Sequence, residues 1–251
     1  MRDGRSYGAG PYLRAIRRAG PLARNWRAPR LPLPEWMSPT ELDLSAPATF
    51  FAGENGTGKS TLLEAVAVAA GFDVEGGPLS AELEERGIRA RPALAERREE
   101  WIVELTVSKP RSGFFLRAES FFNVARAVDA LGVEPLYGGR RLHDQSHGES
   151  FVALAANRFG GEGLYLLDEP EAALSVTSAL AFVEIMHAAC AAGAQFIVAT
   201  HSPVLLALPG ARILEFADGA IRPVGYDELP LVQLHRSFLA APERFLRHLW
   251  D

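Results

Sequence analysis

The sequence predicts an α/β protein with a mostly parallel central sheet, helices on both faces and a small antiparallel β lobe. Short apolar runs of β-forming residues alternate with runs rich in helix formers, which is the pattern of parallel strands joined by helices. A glycine-rich loop and a pair of acids each follow one of these apolar runs directly, as expected where ligands bind at the ends of parallel strands. The 251 residues, 48% of them hydrophobic, suffice for one large domain over 1–251.

The first part of the chain is predicted to contribute little regular structure. Residues 1–11 are expected to be disordered, and short strands are predicted over 12–16 and 41–44, joined by a Pro- and Arg-rich connection. Residues 1–30 carry eight arginines against the single acid Asp3, although the net charge of the whole chain is -5. A solvated loop is the favoured reading of these arginines, and contact with nucleic-acid phosphates stays open as an alternative.

Residues 53–60 read Gly-Glu-Asn-Gly-Thr-Gly-Lys-Ser, which fits the pattern G-x-x-x-x-G-K-[ST] of a phosphate-binding loop. A β-prone apolar run, 48–51, precedes the loop, and helix formers from 61 to 70 follow it and stop at Gly71. Lys59 is predicted to reach the outer phosphates of a nucleotide, and Ser60 to hold Mg²⁺. The predicted ATP-binding residues are Gly53, Glu54, Asn55, Gly56, Thr57, Gly58, Lys59, Ser60 and Thr61.

A variable segment, 73–118, is predicted to form the β lobe. Two short helices are expected over 81–87 and 93–100. The alternating run 101–107, the turn residues 109–113 and the apolar run 114–118 then predict a β-hairpin. A short helical segment, 119–160, follows, with a helix predicted from Ser120 to Gly132.

Asp168 and Glu169 end the apolar run 163–167, so they are predicted at the tip of a central strand. Asp168 is expected to bind Mg²⁺ together with Ser60, and Glu169 to polarise the water that attacks a γ-phosphate. Taken alone, the pair is equally an ordinary acidic strand end. A helix over 176–192, capped by Ser175, follows.

Two further segments carry polar groups that suit a phosphate. Ser146 and Gly148 precede the helix-like run 151–156, where free N–H groups would point outward, although Ser146 also reads simply as a helix cap. His201 ends the predicted strand 195–199 and would lie beside Asp168 if the two strands are neighbours. A hairpin over 212–224 and an amphipathic helix over 242–250 complete the chain.

These motifs, in this order, resemble an ABC-type ATPase. The set is similar to the soluble, stand-alone predicted ATPases often labelled "AAA family ATPase", related to the SMC and RecF-like branch of P-loop NTPases. The motifs that carry the likeness are the phosphate loop, Ser146-His-Gly-Glu149, Leu166-Leu-Asp-Glu-Pro170, Glu171-Ala-Ala-Leu-Ser175 and Ala199-Thr-His-Ser-Pro203, together with 113–120 and 137–140.

The resemblance implies hydrolysis of ATP to ADP and phosphate, with Mg²⁺ as cofactor, in an ATP-dependent homodimer that sandwiches two nucleotides. It implies catalytic roles for Lys59, Glu169 and His201. The segment 171–175 would link the two composite sites of the dimer. The signature residues that would close on the partner's nucleotide are Ser146, His147, Gly148 and Glu149.

The sequence departs from the commoner transporter pattern at three positions. His147 stands in place of a signature glycine, and Glu149 in place of a glutamine. Glu119 occupies the position expected for a Mg²⁺-sensing glutamine, which makes it a third candidate metal ligand. The aromatic that stacks on adenine is unassigned. Its candidates, each equally a packing residue, are Tyr12, Trp26 and Trp36.

The biological role is predicted to be that of an ATP-driven switch or motor acting on an unknown protein client. A DNA-repair or recombination ATPase is the alternative. A transporter subunit fits less well, since only about 27 residues separate Glu119 from the signature and no apolar run approaches the ~20 residues of a membrane span. A small-molecule kinase ranks last, because it has no use for Glu169. Cys190 is the single cysteine, and a cytoplasmic location is expected.

Overall fold

The computed structural model describes residues 10–18, 30–31, 41–73, 76–79, 101–105, 110–117 and 146–247. The strands in chain order are β1 (Leu13–Arg18), β2 (Arg30–Leu31), β3 (Glu41–Asp43), β4 (Ala48–Gly53), β5 (Gly77–Pro78), β6 (Trp101–Leu105), β7 (Ser112–Arg117), β8 (Gly163–Asp168), β9 (Gln195–Thr200), β10 (Arg212–Ala217) and β11 (Ala220–Pro223). The helices are α1 (Lys59–Ala70), α2 (His147–Arg158), α3 (Val176–Ala191), α4 (Pro230–Ala240) and α5 (Pro242–Leu246).

The central sheet has the order β11-β10-β4-β9-β8-β7-β5. Its five inner strands run parallel, and β11 and β5 pair antiparallel at the two edges. The carboxyl ends of β4, β9 and β8 therefore meet at one edge of the sheet, where the candidate site lies. The mostly parallel α/β fold predicted from the sequence is confirmed.

Two hydrophobic layers cover the two faces of this sheet. Side chains alternate between them along each inner strand: Phe50 and Phe51 on β4 enter opposite layers, and so do Leu166 and Leu167 on β8. Helix α1 packs into one layer, and helices α2 and α3 into the other. Strands buried on both faces read as continuous apolar runs, which is why the sequence marked them so clearly.

A second sheet has the order β2-β6-β1-β3, and all of its pairings are antiparallel. This sheet is the small β lobe, and its strands β1 and β3 confirm the strands predicted over 12–16 and 41–44.

The predicted hairpin over 101–118 is wrong. Its first strand, β6, pairs with β1 and β2 in the small sheet, whereas its second strand, β7, pairs parallel with β8 in the central sheet. The physical reason lies in residues 113–116, which are all buried. Phe114 and Phe115 enter opposite hydrophobic layers, as a strand covered on both faces requires.

Gln195 joins the two sheets. Its side chain is fully buried at the start of β9. Its Oε1 accepts hydrogen bonds from the backbone N–H groups of Tyr12 and Leu13, at 2.7 and 2.8 Å. Its Nε2 donates to the carbonyls of Leu13 and Leu44, at 2.9 and 2.6 Å. One side-chain amide thus provides hydrogen-bond partners for backbone groups at the start of β1 and just after β3.

The C-terminal part holds one helix that the sequence analysis missed. Helix α4 comes before the predicted C-terminal helix, of which the structure describes α5, Pro242–Leu246. Strands β10 and β11 form the predicted hairpin. The helices predicted over 81–87, 93–100 and 120–132 lie outside the described residues. Within the described ranges no helix has the length and apolar character needed to cross a membrane.

Candidate functional site

The phosphate loop, residues 53–61, connects β4 to α1 at the carboxyl edge of the central sheet. Gly53 has φ 148°, and a Cβ at this position would lie 2.5 Å from the carbonyl oxygen of Phe216 on β10. Gly58, the residue before α1, has φ 93° in the left-handed region. Glycine is the residue that tolerates both conditions, so the sequence pattern and the backbone agree. The turn places free N–H groups at the start of a twelve-residue helix.

Lys59 is buried, with 3% of its surface exposed, although it carries a charge. Its Nζ donates hydrogen bonds to the carbonyls of Gly53 and Glu54, at 2.8 and 2.7 Å. These bonds hold the ammonium group inside the loop. Burial lowers the pKa of Lys59, and the nearby carboxylates of Glu169, Asp168 and Glu171 oppose that shift.

Ser60 and Asp168 contact each other across the intervening strand β9. The hydroxyl of Ser60 donates a hydrogen bond of 2.8 Å to Oδ1 of Asp168. Burial raises the pKa of Asp168, and the bond from Ser60 acts in the opposite direction. A hydroxyl and a carboxylate side by side are the oxygen donors that Mg²⁺ takes beside a bound phosphate, so these two residues fit the ion.

Glu169 follows Asp168 in a strained backbone conformation. Its φ and ψ are both 50°, in the left-handed region that residues with a Cβ rarely adopt. Its N–H donates to the carbonyl of Ala199 at 2.9 Å, and Pro170 begins a short 3₁₀ turn, Pro170–Ala173, immediately after it. Such strain is typical of functional positions, because it points a side chain in a direction that an unstrained backbone would not allow.

Strands β8 and β9 are neighbours, with Asp168 opposite Ala199, as the predicted place of His201 beside Asp168 required. The carboxylates that His201 approaches are those of Glu169 and Glu171. Its Nδ1 is 3.9 Å from Oε1 of Glu169 and 3.4 Å from Oε1 of Glu171. The sequence motif predicted for Glu171 only a place in a connecting loop. The structure instead shows its Oε1 accepting hydrogen bonds from Oγ1 of Thr200 and from the N–H of His201, both at 2.7 Å. No local pattern in the sequence indicated this contact.

The signature segment, 146–149, begins helix α2. Ser146 and Glu149 form a capping box: the N–H of Glu149 donates to Oγ of Ser146 at 3.4 Å, and the N–H of Ser146 donates to Oε2 of Glu149 at 3.0 Å. A Cβ on Gly148 would lie 3.0 Å from Oγ of Ser178 on α3. The start of α2 therefore packs closely on the start of α3, and Ser146 and Glu149 stay exposed.

The remaining predicted site residues do not join the phosphate loop in the part of the chain that the structure describes. Tyr12 is wrong as a candidate for adenine stacking, because its ring is only 2% exposed and its backbone contacts Gln195 at the opposite edge of the sheet from the phosphate loop. Burial raises its pKa to about 12. Glu119, Trp26 and Trp36 lie outside the described residues, and so does the side chain of His147.

Two family models match parts of the chain. One, described as an AAA domain, covers residues 36–109. The other, described as "AAA domain, putative AbiEii toxin, Type IV TA system", covers residues 137–207. The first segment contains the phosphate loop, and the second contains the signature, Asp168, Glu169 and His201. No match was found among curated protein sequences.

Solved structures give distant likenesses. An SMC head domain from Thermotoga maritima is 16% identical, with a TM-score of 0.45, and the match covers 86% of this chain and 100% of that one. An ATP-binding subunit of an ABC transporter is 13% identical, with a TM-score of 0.49 and coverages of 91% and 93%. An SMC head bound to the C-winged helix domain of ScpA is 12% identical, with a TM-score of 0.47 and coverages of 85% and 98%.

The family models agree with the topology described above. A parallel sheet carries a phosphate loop on β4, and the acids on β8 are separated from it by β9. The chain has a mostly parallel α/β fold with a phosphate-loop sequence pattern directly after β4, and its two matched segments are similar to AAA domains.

Proposed function

We propose that this protein binds ATP with Mg²⁺ at the phosphate loop and hydrolyses it to ADP and phosphate. The observation that carries the proposal is the 2.8 Å hydrogen bond between Ser60 and Asp168, with Lys59 and Glu169 at the same edge of the sheet. Hydrolysis of a nucleoside triphosphate needs groups that bind phosphate, a hydroxyl and a carboxylate that bind the metal, and a second carboxylate that acts as base. All of them lie together here.

Each residue has a distinct task in this proposal. The N–H groups at the start of α1 and the ammonium of Lys59 hold the phosphates. Ser60 and Asp168 hold Mg²⁺, which neutralises phosphate charge when bound. Glu169 accepts a proton from the attacking water, and His201 contacts the γ-phosphate or that water. Half-buried Asp168, which is bonded to Ser60, and strained Glu169 are thus assigned different roles because they have different surroundings.

We propose further that two copies close on two nucleotides, each signature segment completing the other copy's site, and that this closure acts as a switch for a separate client. The start of α2 is exposed and lies against Ser178. Next to it, Val176 and Leu180 on α3 are 68% and 59% exposed. Large apolar side chains beside a phosphate-suited helix start are what a surface covered by a second copy presents.

An equilibrium titration tests nucleotide binding. ATP at millimolar concentration with Mg²⁺ is expected to saturate the wild-type protein and to raise its melting temperature, because a ligand that binds only the native state stabilises it. The same titration of Lys59→Ala is the control and is expected to show little binding. A wild-type protein that is neither occupied nor stabilised contradicts the proposal.

Size-exclusion chromatography with light scattering tests the dimer. Glu169→Gln is expected to retain ATP and to elute as a dimer when ATP and Mg²⁺ are present, and as a smaller species when they are absent. Proteins that co-purify with this variant in ATP, and not in ADP, are candidates for the client. A Glu169→Gln protein that binds ATP and stays monomeric contradicts the sandwich arrangement.

A further inference from the structure

Glu171 ties together two segments of the candidate site. It lies in the turn Pro170–Ala173, two residues after Glu169, and its side chain is 12% exposed. Its Oε1 accepts from Oγ1 of Thr200 and from the N–H of His201, each at 2.7 Å. One carboxylate oxygen therefore links the turn that carries Glu169 to the strand end that carries His201.

The link continues through Thr200. This side chain is fully buried, and its Oγ1 both donates to Glu171 and accepts from the N–H of Ser202 at 3.0 Å. Three consecutive residues at the end of β9 are thereby held in place. Short hydrogen bonds to a carboxylate are stronger than neutral ones, so this is a firm attachment.

The same carboxylate faces the ring of His201. Nδ1 of His201 is 3.4 Å from Oε1 of Glu171, and it is buried without a hydrogen-bond partner. Oε2 of Glu171 is also buried and unpartnered. A hydrogen bond from a protonated Nδ1 to Oε2 of this carboxylate would give both unpaired atoms a partner. A proton fixed on Nδ1 leaves Nε2 as the nitrogen that can face a substrate.

We infer that Glu171 is a positioning residue for His201, acting through the backbone of residue 201 and through the Nδ1 side of its ring. The inference rests on the proposed ATP hydrolysis. A misplacement of about 1 Å in a reacting group can lower a rate by about 10²-fold, so loss of the attachment is expected to lower kcat. If the carboxylate of Glu171 only stabilised the turn, its removal would lower the melting temperature and leave kcat per folded molecule unchanged.

The test compares Glu171→Leu, which removes both acceptors, with Glu171→Gln, whose amide oxygen can accept the same two bonds. Steady-state phosphate release is expected to show kcat reduced by about 10- to 100-fold in Glu171→Leu, with KM changed by less than about threefold. Glu171→Gln is expected to restore most of that loss. Wild-type kcat in Glu171→Leu, or an equal loss in both variants, overturns the inference.

Glu215→Leu is the matched control. Glu215 is also a buried carboxylate of the central sheet, and it is paired with Arg222 on β11 at 2.8 Å. Its removal is expected to lower the melting temperature without changing kcat. A fall in kcat equal to that of Glu171→Leu would show that any buried carboxylate in this sheet affects turnover, and it would overturn the specific role of Glu171.

A double-mutant cycle with His201→Ala separates positioning from an independent effect. Because Glu171 is inferred to act through His201, the double variant is expected to turn over as slowly as His201→Ala alone. If the double variant is slower than His201→Ala by the same factor that Glu171→Leu alone costs in kcat, the two residues act independently, and the inference is overturned.

Histidine NMR gives a readout that does not require turnover. The His201 ring signal, assigned by its absence in His201→Ala, is expected to shift in Glu171→Leu and to stay unchanged in Glu215→Leu. A wild-type protein without ATP turnover would refute the proposed function alone, and the NMR result would still decide the inference: an unshifted His201 signal overturns it, and a shifted one supports it.

Discussion

Replacement of Gln195 by leucine is expected to loosen the small β sheet from the central sheet. The four shorter of the five hydrogen bonds of this side chain satisfy two N–H groups, of Tyr12 and Leu13, and two carbonyls, of Leu13 and Leu44; the fifth, of 3.5 Å, goes to the carbonyl of Ala46. Leucine has nearly the volume of glutamine, so Gln195→Leu opens no large cavity. It leaves four buried backbone groups without partners instead.

The cost can be estimated from these bonds. A buried group left unsatisfied costs about 1–3 kcal/mol, and groups that share one site relax together, so the lower end, about 4 kcal/mol, is expected for the four. For a chain of this size that corresponds to a fall in Tm of roughly 8–16 °C. The change lies at the edge of the sheet opposite the phosphate loop, so affinity for ATP is expected to stay close to that of the wild type.

Thermal melts of Gln195→Leu and of Gln233→Leu test this estimate. Gln233 is an exposed residue on α4 with one hydrogen bond of 3.1 Å, to the carbonyl of Asp227, so its replacement is expected to cost no more than about 0.5 kcal/mol. If Gln195→Leu melts within about 2 °C of the wild type, Gln195 does not hold the sheets together as described.

Three further changes test the site. Lys59→Ala is expected to weaken ATP binding at least tenfold in a calorimetric titration, because it removes a charged phosphate contact. Ser146→Arg is expected to abolish dimer formation in light scattering while sparing ATP binding by the monomer, and Ser146→Ala, which loses the hydroxyl but adds neither bulk nor charge, is expected to weaken dimer formation less than Ser146→Arg does. Asp168→Asn is expected to raise Tm at pH 7. The folded-state pKa of Asp168 lies above its ordinary value of 3.8, so the native state loses stability as pH rises from 3.8 through that raised value. Thermal melts between pH 3.5 and 7 are expected to show this pH-dependent loss of stability in the wild type and not in Asp168→Asn.

The fold was predictable where the local pattern and the burial agree. Strands β4, β8 and β9 are buried on both faces, and they read as unbroken apolar runs. Helix α3 is capped by Ser175, whose Oγ accepts from the N–H of Ser178, and it ends two residues before Gly193, so both ends are marked in the sequence. The turn between β4 and α1 was likewise predictable from the spacing of its glycines.

The errors arose where pairing depends on distant segments. Strands β6 and β7 are close in sequence, but β6 pairs with β1 in one sheet and β7 with β8 in the other, and no turn residue encodes that choice. Helix α4 begins at Pro230 after a 3₁₀ turn, and Val232 is its one buried residue, so it adds little to the core by which the other helices were recognised. The contact between Glu171 and Thr200 spans 29 residues, and only the assembled sheet reveals it.

Phosphate release at saturating ATP and Mg²⁺, measured for the wild type and for Glu169→Gln, tests the central claim most directly. The wild type is expected to turn over ATP, and Glu169→Gln is expected to bind ATP equally well while its rate falls by about 10²–10⁴-fold, as loss of a general base requires. Equal rates in the two proteins would show that Glu169 is not the base. The absence of any turnover in the wild type would show that the site does not hydrolyse ATP unaided.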